Sequence, residues 1–141
     1  MALIARFIID TSAAARMREP VVASRLAPLI EAGVVATHAM LDAEALYSAR
    51  SPSQYDQLQH DRRRTYEYLP LEDQHWQGAF EAQSRLAATG RHRAVGMADL
   101  ITAVLAAEHR LTVIHYDSDF EIAAEVIDFA HSWVAPRGSI P

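Results

Sequence analysis

Cysteine, lysine and asparagine are all absent from this 141-residue chain. Without cysteine there are no disulfides, no thiolate zinc sites and no sulfur nucleophile. Without lysine there is no Schiff base and no P-loop lysine; all thirteen basic side chains are arginine. Long apolar runs are missing too, since no stretch approaches the roughly 18 uninterrupted hydrophobic residues that a membrane-spanning helix requires. The opening residues, Met1-Ala2-Leu3-Ile4-Ala5-Arg6, lack the basic start of a signal peptide, so a cytoplasmic location is expected. A basic excess is the last absence. The net charge of −5 excludes nucleic-acid binding by bulk electrostatics, and leaves local arginines beside cation-neutralised acids as the only electrostatic route to a polyanion.

What is present suits one folded unit. Half of the residues are hydrophobic and 22% are charged, enough to bury one core, so residues 1–141 are expected to form a single domain. Short β-branched runs alternate with helical stretches, which predicts an α/β sandwich around a parallel sheet. Residues 6–10 read as a buried strand leading into a helix start at Asp10-Thr11-Ser12. A helix is expected from Pro20 to about Ala32, ended by Gly33, with Pro28 predicting a kink or a split into two. Residues 34–37 form a second strand and 38–50 a helix; after Ser51-Pro52-Ser53 a polar helix runs to about Tyr66. Residues 68–71 are a weak strand, confined by Pro70 to a sheet edge. Helices over 72–89 and 96–110 flank a loop at 91–95. Residues 111–116 are the clearest strand, and a last helix from Asp117 is expected to reach about Phe129, with capping-box spacing at Ser118 and Glu121. Residues 132–134 supply a closing strand.

Four isolated acids, Asp10, Glu44, Asp99 and Asp117, lie where a strand ends or a helix begins. In a parallel sheet, the strand ends and the first turns of the returning helices share one edge, so all four are expected at one mouth. Each has an ordinary explanation by itself. Asp10 or Ser12 suits a helix N-cap, Asp99 complements a helix dipole, Asp117 suits a turn and Glu44 an exposed helix surface. Gathered together they would repel, and a bound divalent cation is the usual remedy. Glu44 shares a helical face with Met40, Leu41 and Tyr47 and is expected on the inward stripe, whereas the face of Asp42 is less decisive. Asp99 lies among Leu100, Ile101, Val104 and Leu105, where a carboxylate is costly unless compensated.

In order and spacing, Ile9-Asp10-Thr11-Ser12, Glu44, Asp99-Leu100-Ile101 and His115-Tyr116-Asp117-Ser118-Asp119-Phe120 resemble the PIN-domain ribonucleases, in particular the VapC-type toxins of toxin–antitoxin pairs. The resemblance spans essentially the whole chain. It implies a three-layer α/β/α sandwich with a central five-stranded parallel sheet, and Mg²⁺- or Mn²⁺-dependent endonucleolytic cleavage of RNA. It also implies a cognate antitoxin protein and a homodimer.

On that reading Asp10, Asp99 and Asp117 are the expected metal ligands, and Glu44 holds the attacking water. Thr11, Ser12 and Asp119 are candidate supporting residues, Asp119 and either hydroxyl also being explicable as helix caps. Arg91 and Arg93 are candidate RNA contacts, or else part of a solvated loop. Arg62-Arg63-Arg64 reads as a solvated face or partner contact, and Trp76, Phe80 and Tyr55 as core or dimer packing. The seven scattered histidines lack zinc spacing and are read as structural or surface residues. Two other phosphoryl chemistries fall away: a haloacid-dehalogenase site wants an Asp where Ser12 stands, and a receiver domain wants a late lysine. The remaining alternative is a PIN-like scaffold or antitoxin-binding module with weak catalysis.

Overall fold

The computed structural model describes residues 3–141. Its strands are β1 Phe7–Ile9, β2 Val35–Thr37, β3 Glu67–Tyr68, β4 Thr112–His115 and β5 Ala130–Trp133. Its helices are α1 Thr11–Ala14, α2 Pro20–Glu31, α3 Ala39–Tyr47, α4 Pro52–Thr65, α5 Asp73–Ala87, α6 Met97–His109 and α7 Asp119–Ala123. Every strand pair is parallel and the order is β3-β2-β1-β4-β5. The central strands read as unbroken apolar runs because both faces of the sheet are covered. Side chains alternate between those faces: Ile8, Ala36 and Val113 meet Leu41, Leu105 and Phe120 on one side. On the other side Ile9, Val35 and Ile114 meet Ala13, Val22 and Leu26. A further cluster, centred on Ala79, Leu86, Leu100 and Ile101, joins α5 to α6. The expected three-layer sandwich with a five-stranded parallel sheet is therefore present. Among the described residues, no helix is long and apolar enough to cross a membrane.

Several local expectations need correction. Pro28 does not split its segment; α2 is one helix from Pro20 to Glu31, with Pro28 itself accepting a bond from Ala32. The last helix stops at Ala123 instead of Phe129. Glu125 and Val126 close short i−3 turns, because the chain must unwind to bring Ala130 beside Thr112 and start β5 two residues earlier than expected. Ser118 adopts helical dihedrals and makes no side-chain cap; Asp117 takes that role, its Oδ1 accepting from Asp119 N at 2.9 Å. Glu44 and Tyr47 are not on an inward stripe: both are exposed, Tyr47 at 93%. The buried member of α3 is Leu41, and Glu44 stands on the rim.

The strand order places the crossover between β1 and β4. Chains leaving these neighbouring strands depart to opposite sides, which opens a crevice at their carboxyl ends. Asp10 follows β1, and Asp117 is two residues beyond β4.

Candidate metal centre

Asp10 is 6% exposed and N-caps α1. Its Oδ2 accepts from Ser12 N at 3.0 Å and from Ser12 Oγ at 2.6 Å, while its own N donates to Ile114 O at 2.9 Å. Ser12 Oγ also accepts from Tyr116 N at 2.9 Å, so one hydroxyl ties Asp10 to the end of β4. The competition for the cap therefore resolves in favour of Asp10, with Ser12 fixing its orientation. Asp10 Oδ1 has no hydrogen-bond partner among the described residues, which leaves it available to a ligand. Thr11 Oγ1 donates to Glu44 Oε1 at 2.9 Å and so ties α1 to α3 across the mouth.

Asp99 lies in the first turn of α6 and Asp119 in the first turn of α7. Asp99, Asp117 and Asp119 each offer a carboxylate oxygen within 4.8 Å of the others. Burial first, and then the charges of Asp10, Asp117, Asp119 and Glu44, push the Asp99 carboxyl up to about 8. Burial also raises Asp10, against the two Ser12 bonds that lower it and with the charges of Glu44 and Asp117 that raise it further. Asp119 is raised by burial and by Asp117. Asp99 thus lies within electrostatic range of Asp10, Glu44, Asp117 and Asp119. The donor set is all hard oxygen and suits Mg²⁺ or Mn²⁺ better than zinc.

His38 positions two of these acids. It N-caps α3, Nδ1 accepting from Met40 N at 3.2 Å and Leu41 N at 3.3 Å. Its proton therefore resides on Nε2, which donates to Thr102 Oγ1 at 2.8 Å. The helix carrying Glu44 is thus bonded to the helix carrying Asp99. Burial lowers the His38 pKa to about 4, keeping the ring neutral as this geometry requires.

A second group, His75, Glu108 and His109, also clusters donor atoms within 4.8 Å. His75 Nδ1 accepts from Glu72 N at 2.8 Å, which leaves the Nε2 proton to donate to Glu108. A ring with both nitrogens engaged in this way has no lone pair for a metal.

The arginines divide unexpectedly. Arg91 is bridged to Glu125 by two contacts of 3.2 Å, while Arg93 is exposed in the loop before α6. Arg62, read from the sequence with its neighbours as a solvated face or partner contact, is half-buried and not solvated: Nε donates to Asp42 at 2.9 Å and the guanidinium lies 4.8 Å from the Tyr66 ring. Arg62 and Arg18 line a cavity of about 450 Å³ that also contains Thr11 and Glu44. The sequence signal for Arg62 is its helical spacing from Leu58 and Tyr66, which line the same cavity.

The model of the PIN domain family matches residues 7–126. Ribonuclease VapC21 of Mycobacterium tuberculosis is 40% identical over 134 residues, covering 95% of this chain and 97% of the relative. Ribonuclease VapC51 of the same organism is 33% identical over 135 residues, covering 96% and 97%. Among solved structures, DNA-bound VapBC from Salmonella typhimurium superposes with a TM-score of 0.73 at 16% identity, covering 93% of this chain and 99% of that one. VapBC-5 of Mycobacterium tuberculosis, described as a member of the VapBC family of toxin–antitoxin systems, gives a TM-score of 0.57 at 25% identity, covering 92% and 97%.

Proposed function

The chain belongs to the PIN-domain family, and from that premise we propose that it is a Mg²⁺- or Mn²⁺-dependent endoribonuclease, the toxin of a toxin–antitoxin pair. The observation that carries this reading is the gathering of five carboxylates from four segments of the chain at the crevice between β1 and β4. Asp10, Asp99 and Asp117 would hold the cation, with Asp119 completing the oxygen shell. When bound, the cation supplies charge relief at the phosphate oxygens and a more acidic water. Asp99 must give up its proton for the cation to bind. Glu44, anchored through one oxygen by Thr11, keeps its other oxygen free to accept from the attacking water and aim it. Ser12 holds Asp10 in the one orientation that presents Oδ1. Arg18 brings positive charge to the wall beside Glu44, where an RNA phosphate would lie, while the charge of Arg62 on the same wall is paired with Asp42. Arg93 is placed to extend that contact, and Arg91 only on leaving Glu125.

Association with a cognate antitoxin is part of the same proposal, supported by the description of a solved relative as a toxin–antitoxin system, and a homodimeric state and action in the cytoplasm are proposed with it. Purified protein should cut RNA with Mg²⁺ or Mn²⁺ and stop with EDTA, and Asp10→Asn should abolish cutting while the fold is retained. An Asp10→Asn protein that cuts at the wild-type rate would remove the site assignment. A wild-type protein inert on every RNA pool would return the chain to the scaffold reading.

A further inference from the structure

Arg62 also lines a second hollow, of about 460 Å³, formed between α3 and α4. Tyr47, Tyr55 and Tyr68 line it and are 93%, 42% and 55% exposed. Tyr55 is therefore not a core residue. The aromatic rings that pair with one another in this chain (His115, Tyr116, Phe120, Phe129, His131 and Trp133) lie elsewhere. Such exposure of three large rings around one concavity needs an occupant.

The charge of the hollow identifies the occupant. Its ionisable lining is Asp42, Arg62 and Arg63. Asp42 and Arg62 neutralise each other at 2.9 Å, while Arg63 is exposed and has no ion-pair partner among the described residues. In a chain of net charge −5 the hollow is thus locally positive. Aromatic faces beside an unpaired guanidinium are the ingredients of a single-stranded nucleic-acid platform, where bases stack on rings and arginine meets phosphate. The hollow adjoins the cavity that holds Thr11 and Glu44. Arg62 walls both cavities, and Tyr47 lies one helical turn from Glu44, about 5 Å along α3.

We propose that Tyr47, Tyr55, Tyr68 and Arg63 form a stacking exosite that holds single-stranded RNA beyond the bond being cut. The proposal rests on the ribonuclease reading for its substrate class. Any base can stack, so the exosite sets affinity and strandedness and leaves sequence choice to the crevice.

The test is fluorescence anisotropy of a labelled single-stranded RNA oligonucleotide titrated with protein in EDTA, so that binding is read without cleavage. Tyr47→Ala and Tyr55→Ala should each weaken binding roughly fivefold or more, the lower end of what one stacked base contributes. Tyr47→Phe should retain affinity. Arg63→Ala should reduce the slope of log K against log salt by about 0.7, one single-strand phosphate contact. Binding within about twofold of wild type for both alanine variants would overturn the exosite. So would a loss of binding accompanied by a change in sedimentation, which would make the surface a protein interface. Wild-type cleavage with Mg²⁺ or Mn²⁺ separates the two readings. Cutting without tyrosine-dependent binding removes the exosite alone, and tyrosine-dependent binding without cutting removes the nuclease alone.

Discussion

Replacing Asp99 by asparagine should stabilise the metal-free protein while disabling the site. Asp99 is raised from the ordinary 3.8 to about 8, first by burial and then by the charges of Asp10, Asp117, Asp119 and Glu44. A raised carboxyl favours its protonated form, so the native state keeps its full stability below pH 3.8 and loses it as pH rises toward 8. At about 1.4 kcal/mol per unit, the ceiling on this loss is about 6 kcal/mol. Asp99 is partly open to solvent, and its neighbours share the repulsion, so screening reduces the expected effect to about 2 kcal/mol. For a domain of this size that is a rise of about 6–10 °C in Tm for Asp99→Asn at pH 8 in EDTA. At pH 4 the difference should vanish, because the wild-type side chain is then neutral as well. Mg²⁺ or Mn²⁺ should raise the Tm of wild type by mass action and leave the variant almost unmoved. Differential scanning fluorimetry across pH and metal concentration reads all three outcomes. An Asp99→Asn protein that melts below wild type at pH 8, or responds equally to metal, would refute the electrostatic account of the crevice.

Two further outcomes follow from neighbouring contacts. His38→Ala should cost about 2–3 kcal/mol in urea denaturation, through the lost cap of α3 and the unpaired Thr102 hydroxyl. With its pKa lowered to about 4, His38 gives stability that is complete above pH 6.5 and lost as pH falls toward 4; a loss at high pH instead would place its proton wrongly. Asp119→Asn should weaken Mn²⁺ binding in calorimetry by tenfold or so while leaving the Tm in EDTA equal or higher, and an unchanged affinity would confine Asp119 to starting α7.

The sheet was legible because β-branched runs such as Thr112-Val113-Ile114 admit one reading, and parallel geometry then dictates which ends share an edge. Asp10, Asp99 and Asp117 were legible for the same reason. Glu44 was found by place and misjudged by burial, because the alanine-rich α3 has no sharp apolar stripe to orient it. The end of α7 was hidden since Glu121-Ile122-Ala123-Ala124-Glu125 favours helix locally, and only the pairing of Ala130 with Thr112 forces the chain to unwind. Asp119 looked like a cap because its clustering with Asp99 involves a residue distant in sequence and adjacent only after folding. Within Arg62-Arg63-Arg64 only the spacing of Arg62 from Leu58 and Tyr66 hints at the one that turns inward; Asp42 and Thr37, which hold it, belong to other elements.

The crevice acids are contributed in sequence by the turn after β1, by α3, by α6 and by the segment that follows β4. A chain that stops short of β4 carries Asp10, Glu44 and Asp99 but lacks Asp117, Asp119 and the strand residue Ile114 that anchors Asp10. The five carboxylates are therefore complete as a set only once the turn after β4 is in place.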